Sequence, residues 1–325
     1  MRLNRRTLLM GTVAMATLAA GVMPALAEYP ERPITFIIPY GPGGGNDQTG
    51  RLLAVEMEKI LGQPVVVENV EGGNGVVGLT QVYNAEPDGY TITIGAGSPM
   101  TIGPHALEVA YDPLNFTYIS GYYAWTYMVL VHPSVPANNL KELADWAKSN
   151  PGALINSTSG GYGIHDVSMA LFSEAVGGIE YRTLPNNSAA ETTLRLLSGD
   201  ANLTFGSGAS NLEHVRAGTM KALGVVSDRS VPAYDELGLE MTSEELGFEL
   251  INRTVVIGPP GMPEDIRAKL EDTVRQVTEI PAIQEQLEAI SLPVNFMTGE
   301  AAKAETTEIY NLYGEIVRRL MEEGL

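Results

Sequence analysis

Pro39-Tyr40-Gly41-Pro42-Gly43-Gly44-Gly45-Asn46-Asp47 stands between an apolar run, Ile34-Thr35-Phe36-Ile37-Ile38, and a helical pattern that starts near Gln48. Four glycines and two prolines in nine residues make a sharp turn from strand to helix. Without a Cβ at Gly43, Gly44 and Gly45 a ligand can approach the main chain, and the first N–H groups of the next helix lack partners inside it. The outline is an anion cradle. Glycine-rich turns also hold nucleotides, but no lysine follows the last glycine, as a P-loop needs. Position 48 is glutamine where a dinucleotide fingerprint needs a third glycine. The bland alternative is a tight turn with no ligand.

Outward from this turn the chain repeats the same unit. A helix ends at Gly62, a short buried strand follows at 64–68, and a second glycine turn, Glu71-Gly72-Gly73-Asn74-Gly75, opens a helix over 76–85. Pro87-Asp88-Gly89-Tyr90 turns into a strand at 91–94 that empties into Gly95-Ala96-Gly97-Ser98. From Tyr111 to Tyr127 the rhythm breaks into aromatic, irregular sequence, and Met128 to Pro133 reads as a strand leading into a second domain. There the unit restarts, with strands predicted at 154–156, 180–184, 201–205 and 222–226. Their loops are 157–163, 185–187 and 206–208. Val255 to Pro260 reads as the return strand, followed by helices over 265–279 and 300–321, with a short strand near Val294 between them.

Such alternation predicts an α/β chain of two lobes, each a mostly parallel sheet flanked by helices, joined by two crossing strands: a two-lobed, type II-like binding-protein architecture. The expected division is 28–126 plus 254–325 for the first lobe and 127–253 for the second. Loops at the carboxyl ends of the strands then face a cleft between lobes, the usual place for a small ligand.

Residues 1 to 27 have the form of an export signal: Arg2, Arg5 and Arg6, an apolar stretch from Leu8 to Ala20, and Ala25-Leu26-Ala27 before Glu28. Asn4-Arg5-Arg6-Thr7-Leu8-Leu9 fits a twin-arginine signal as well as an ordinary one, and an uncleaved anchor helix is the competing reading. There is no cysteine, hence no lipid anchor after the signal, no disulfide and no thiol nucleophile. The net charge of −19 becomes more negative still once the three signal arginines are removed. Nucleic acid and anionic lipid are poor partners for that surface, and an anionic ligand must be held by local dipoles.

Several further stretches carry a resemblance. Tyr29-Pro30 with Pro33, the glycine turn ending in Asp47, Leu61-Gly62-Gln63-Pro64-Val65-Val66-Val67-Glu68-Asn69, Pro87-Asp88-Gly89-Tyr90, Tyr111-Asp112-Pro113, Val131-His132-Pro133-Ser134, Pro151-Gly152, Arg216-Ala217-Gly218 and Gly258-Pro259-Pro260-Gly261-Met262-Pro263 occur in family order. Together they resemble the tripartite tricarboxylate transporter substrate-binding family, also called the Bug family, from residue 29 to about 270. The resemblance implies a periplasmic, Venus-flytrap solute-binding protein, active as a monomer and without a cofactor. It would capture a small organic carboxylate and deliver it to an integral membrane transporter of one large and one small subunit. It also implies two carboxylate-holding loops: Tyr40, Gly41, Gly43, Gly44, Gly45, Asn46 and Asp47 in one, Ser157, Ser159, Gly160, Gly161, Tyr162, Gly163 and His165 in the other. A ligand-sensing partner of a signalling receptor is an equally compatible use of the fold.

The chain departs from the family at Pro185-Asn186-Asn187-Ser188, where a proline-tyrosine-lysine-glycine turn is common, and at Gly206, where an aspartate often stands. Ser98, Asn186, Asn187 and Ser207 are therefore the candidates for reading the far end of the ligand, each equally a cap or turn residue. Asp47 doubles as a helix cap. His105, His132 and His214 have no metal spacing, so no metal is expected. Ser159 with His165 is the one arrangement that suggests a hydrolase, but no Gly-x-Ser-x-Gly is present and the third, orienting group is missing, so the chain is read as no enzyme.

Overall fold

Two five-stranded sheets carry the chain in the computed structural model, which describes residues 29–324 apart from 160, 161, 187 and 230. The export-signal reading of residues 1 to 27 lies outside the described residues. In chain order the strands are β1 (Ile34–Ile38), β2 (Val65–Asn69), β3 (Thr91–Ala96), β4 (Thr117–Ala124), β5 (Tyr127–Val131), β6 (Leu154–Ser159), β7 (Tyr181–Asn186), β8 (Leu203–Ser207), β9 (Lys221–Val226) and β10 (Arg253–Gly258). The helices are α1 (Gly45–Leu61), α2 (Val76–Tyr83), α3 (Ser98–Thr101), α4 (Gly103–Ala106), α5 (Leu140–Ser149), α6 (Ile164–Ala175), α7 (Ala189–Ser198), α8 (Gly208–Arg216), α9 (Pro232–Asp235), α10 (Thr242–Glu245), α11 (Glu264–Thr278), α12 (Pro281–Ala289) and α13 (Gly299–Glu323).

The first sheet has the order β2-β1-β3-β10-β4 and the second β7-β6-β8-β5-β9. Each is mixed. β1 pairs parallel with β2 and β3, whereas β10 pairs antiparallel with both β3 and β4. In the second sheet β6 pairs parallel with β7 and β8, and β5 runs against β8 and β9. The reversed strand in each sheet is the one entered directly after a crossing, because the chain then arrives from the opposite end. Two residues, Trp125 and Thr126, make the first crossing, from β4 to β5.

Both faces of each sheet are covered, and the alternation of a strand divides its side chains between two cores. Phe36 and Ile38 of β1 meet Leu53 and Met57 of α1 and Leu270, Val274 and Val277 of α11; Ile37 meets Leu79 and Val82 of α2 on the other face. In the second sheet Val129 and Val131 face α5 and α6, while Met128 and Leu130 face Leu196 and Leu212. The long helix α13 belongs to both halves. Ala302 sits in a core of the first sheet, and Ile309, Tyr313, Ile316, Val317 and Leu320 sit in a core of the second.

Three local expectations are corrected. The aromatic stretch 111–127 is not irregular, since it contains β4, whose Tyr118, Tyr122 and Tyr123 are all buried. The strand expected near Val294 is an isolated bridge from Val294 to Tyr123. Pro185 and Asn186 extend β7 rather than forming a loop, and Pro185 is tolerated because β7 is the edge strand, where a missing N–H leaves no ladder bond unmade.

Beside the second crossing lies a buried ion cluster. Arg253, at the start of β10, pairs with Asp228 (2.5 Å) beyond β9 and with Glu305 (3.2 Å) of α13. Burial pushes the Asp228 carboxyl up, but Arg253 and Arg229 outweigh it and hold it at about 2.

Candidate ligand-binding site

The first loop is shaped by Gly43, whose φ of +86° suits glycine, and by Gly44, the N-cap of α1. The first bond of the helix runs from the Gln48 N–H to the Gly44 carbonyl (2.9 Å). Ahead of it, the N–H groups of Gly44, Gly45 and Asn46 find no acceptor among the described residues. Asp47 closes the loop from behind. Its carboxylate accepts the Gly43 N–H (2.9 Å), Arg51 Nε (3.0 Å) and Asn69 Nδ2 (2.8 Å), and that same amide donates to the Tyr40 carbonyl (2.9 Å). Burial pushes the Asp47 carboxyl up, but Arg51, Gly43 and Asn69 together hold it below the usual carboxylate range. Asp47 therefore stays charged and is fully engaged inside the protein, as a brace for the loop rather than a contact for a ligand.

The second loop leaves β6 at Ser159 and enters α6 through Gly163. Gly160 and Gly161 lie outside the described residues. Tyr162 has a φ of +55°, a rare setting for a side chain of its size. A Cβ on Gly163 would lie 3.0 Å from the Ser159 carbonyl oxygen, so the turn needs glycine for space. Asp166 plays the part here that Asp47 plays in the first loop: it accepts the Gly163 N–H (2.8 Å) and the Thr158 hydroxyl (2.7 Å). Burial pushes the Asp166 carboxyl up, and these two bonds pull it partly back.

His165 is buried, with Nδ1 facing the Ser159 N–H (3.4 Å) and Oγ (3.2 Å). Burial lowers its pKa to about 4, so the ring is neutral at pH 7. The Ser159–His165 contact is the one a hydrolase would use, but a base of that pKa holds a proton poorly, and no carboxylate addresses Nε2 among the described residues.

The second loop approaches the turn that follows β3. A Cβ on Gly163 would come 3.9 Å from Ser98 Oγ, which opens α3 at the end of β3. Beneath them lies the first crossing. Tyr123 donates to Asn46 Oδ1 (2.8 Å), and the benzo edge of Trp125 stands 3.1 Å from where a Gly45 Cβ would be. Tyr40 packs against Gly75 in the same way, 3.3 Å from its Cβ position.

Other expected residues stand further back. Ser157 is fully buried, donating to the Thr192 carbonyl (3.2 Å) and accepting from Asn186 Nδ2 (2.9 Å). The same Asn186 amide reaches the carbonyls of Thr158 (3.1 Å) and Leu184 (3.0 Å), so it pins β7 to β6. Both side chains are buried and hydrogen-bonded within the second half of the molecule. Ser207 is the N-cap of α8, accepting the Ala209 N–H (3.2 Å). Asn187 lies outside the described residues. Gly41 faces the exposed carboxylate of Glu71, 3.0 Å from its Cβ position. Asn69, Glu71, Trp125 and Asp166 are not among the expected site residues: Asn69 and Glu71 stand in a family stretch and a glycine turn with no role of their own, and Trp125 and Asp166 stand in no motif. Among the described residues no group of three or more His, Asp or Glu is arranged to hold a metal, and no helix is long and apolar enough to cross a membrane.

Residues 49–320 match the family described as tripartite tricarboxylate transporter family receptor, TctC. The chain belongs to that family. It is similar to a UPF0065 protein of Bordetella pertussis, 32% identical over 288 residues that make up 86% of this chain and 87% of the relative. The structure of the periplasmic binding protein BugD superposes with a TM-score of 0.74 at 28% identity, covering 90% of this chain and 98% of BugD. MatC of Rhodopseudomonas palustris, solved with bound malate, shares the fold with a TM-score of 0.75 at 24% identity, covering 89% of this chain and all of MatC.

The receptor's departure at Gly206 now has a physical reason. A Cβ there would lie 2.5 Å from Leu130 Cδ1 and 2.7 Å from Asn211 Nδ2. Asn211 fills that space, donating to the Ser207 carbonyl (2.8 Å) and accepting from Thr193 (3.0 Å), so an aspartate and this asparagine cannot coexist without repacking.

Proposed function

We propose that this receptor captures a small organic carboxylate between its two lobes, the first built on 28–126 plus 254–325 and the second on 127–253. One observation carries the reading: the start of α1, whose first N–H groups find no acceptor among the described residues, stands against Trp125 of the crossing, and the start of α6 comes through Gly163 against Ser98 at the end of β3. Each start offers N–H groups and a positive helix end, worth about 0.3–1 kcal/mol per nearby charge. The family supplies the rest of the proposal: export to the periplasm through residues 1 to 27, and delivery to a transporter of one large and one small membrane subunit. Lobe closure follows a ligand that contacts both loops better when they are close, with bending at 128–131 and 254–257.

A thermal-shift screen of the exported protein against organic acids, amino acids and neutral compounds tests this. A ligand at 100 times its Kd adds about 2.7 kcal/mol of stability. Stabilisation confined to carboxylates is expected; stabilisation by neutral compounds alone would overturn the reading.

A further inference from the structure

The charges and rings around the two loops restrict the ligand further. No lysine or arginine occurs in 39–47, 95–98, 125–126 or 157–166. The guanidinium groups of Arg51, Arg229 and Arg253 are engaged: Arg51 with Asp47 and Asn69, Arg229 with Asp228, and Arg253 with Asp228 and Glu305. The unpartnered amides at the start of α1 can offset one carboxylate, whereas at the start of α6 the Gly163 N–H is already taken by the Asp166 carboxylate. A second carboxylate near the first loop would add to the charge of Glu71, which lies beside Gly41.

What the site does offer is an aromatic wall. Trp125 packs against the cores of both sheets while remaining half-buried. Its Nε1–H donates to Thr254 Oγ1 (3.0 Å), its ring stacks on Tyr127 (6.4 Å between centroids) and tilts against Tyr123 (5.9 Å). The polar atom is thus satisfied on the inner side, and the benzo edge is what faces Gly45 and the first turn of α1. Leu292 adds apolar surface there, 3.8 Å from the Gly45 Cβ position.

We propose that Trp125 is a specificity-determining residue, and that the site prefers a monocarboxylate with an aromatic body, its carboxylate on the α1 amides and its ring against Trp125, over di- and tricarboxylates. The inference rests on the carboxylate reading above. An aromatic pair adds about 0.5–1.5 kcal/mol beyond area burial, and a carboxylate left unpaired in the site costs more than that.

Calorimetric titration of the purified receptor with benzoate, phenylacetate, malate, adipate and citrate at fixed ionic strength tests it. Benzoate or phenylacetate should bind at least about tenfold more tightly than the polyacids. Trp125→Ala should remove most of that preference, and Trp125→Phe should restore it to within about threefold, with unliganded melting as the folding control. A merely structural role would weaken all acids alike and leave the ratio unchanged. Tighter binding of malate, adipate or citrate, or an unchanged ratio in folded Trp125→Ala, overturns the proposal while leaving the carboxylate reading intact. Binding of neutral compounds only would remove both.

Discussion

Gly44→Leu separates the loop's role in binding from its role in folding. Gly44 lies at φ −74° and ψ 168°, a backbone open to any residue, and a Cβ there would find only the Gly41 carbonyl oxygen, at 3.8 Å. The fold should tolerate the change and gain up to about 1 kcal/mol, because a side chain restricts the unfolded chain more than glycine does. Binding should not tolerate it. A hydrogen bond to a charged group contributes about 1.5–3 kcal/mol, so screening a single amide from the carboxylate lowers affinity about 10- to 150-fold. Gly43→Leu is the contrasting variant, since the φ of +86° makes a side chain cost about 1–2 kcal/mol of folding. The assay is unliganded melting together with calorimetric titration of the best acid from the screen. Wild-type affinity in a folded Gly44→Leu protein would refute the amide cradle; a Gly44→Leu protein that fails to fold would refute the geometry of the loop.

Four other variants probe the surroundings. His165 is neutral in the fold at about pKa 4 against 6.5 unfolded, so its contribution is present above pH 6.5 and lost as pH falls toward 4, by about 3 kcal/mol. Urea unfolding at pH 7 and 4.5 should show a smaller acid loss in His165→Gln than in the wild type, and equal losses would refute this. Arg253→Ala should cost about 3 kcal/mol in the same assay, the low end for removing one partner of a buried pair, because Asp228 and Glu305 keep some solvent contact. Gly206→Asp should lower stability by about 1–3 kcal/mol through contact with Leu130 and Asn211, and Gly206→Asp combined with Asn211→Gly should recover part of it.

The strand-to-helix turns were legible because they make local demands: a left-handed φ at Gly43 or a missing Cβ at Gly163 leaves a mark in the sequence at that position. β4 left none. With Tyr118, Tyr122 and Tyr123 all buried, no polar face alternates with an apolar one, and the strand has the composition of an aromatic loop. The braces behind the loops were hidden for another reason. Asn69 serves Asp47 from 22 residues away, a distance along the chain that only the pairing of β1 with β2 closes. Trp125 sits in a two-residue crossing with no pattern around it, and its place beside Gly45 follows from how the sheets are joined. Asn186 and Ser157 fit a polar cleft by residue type, yet their hydrogen bonds go to each other, to strand carbonyls and to the Thr192 carbonyl of α7.

The helix α13 bears on how the chain is made. Its stripe from Ile309 to Leu320 fills a core whose other members run from Ile102 to Leu250, so that core stays open until α13 has been synthesised and has docked. A polypeptide emerging from the ribosome therefore carries an unfinished second half throughout elongation, with apolar surface exposed and its most distant contacts still to form. Completion of that core is therefore a late step, made only when α13 docks.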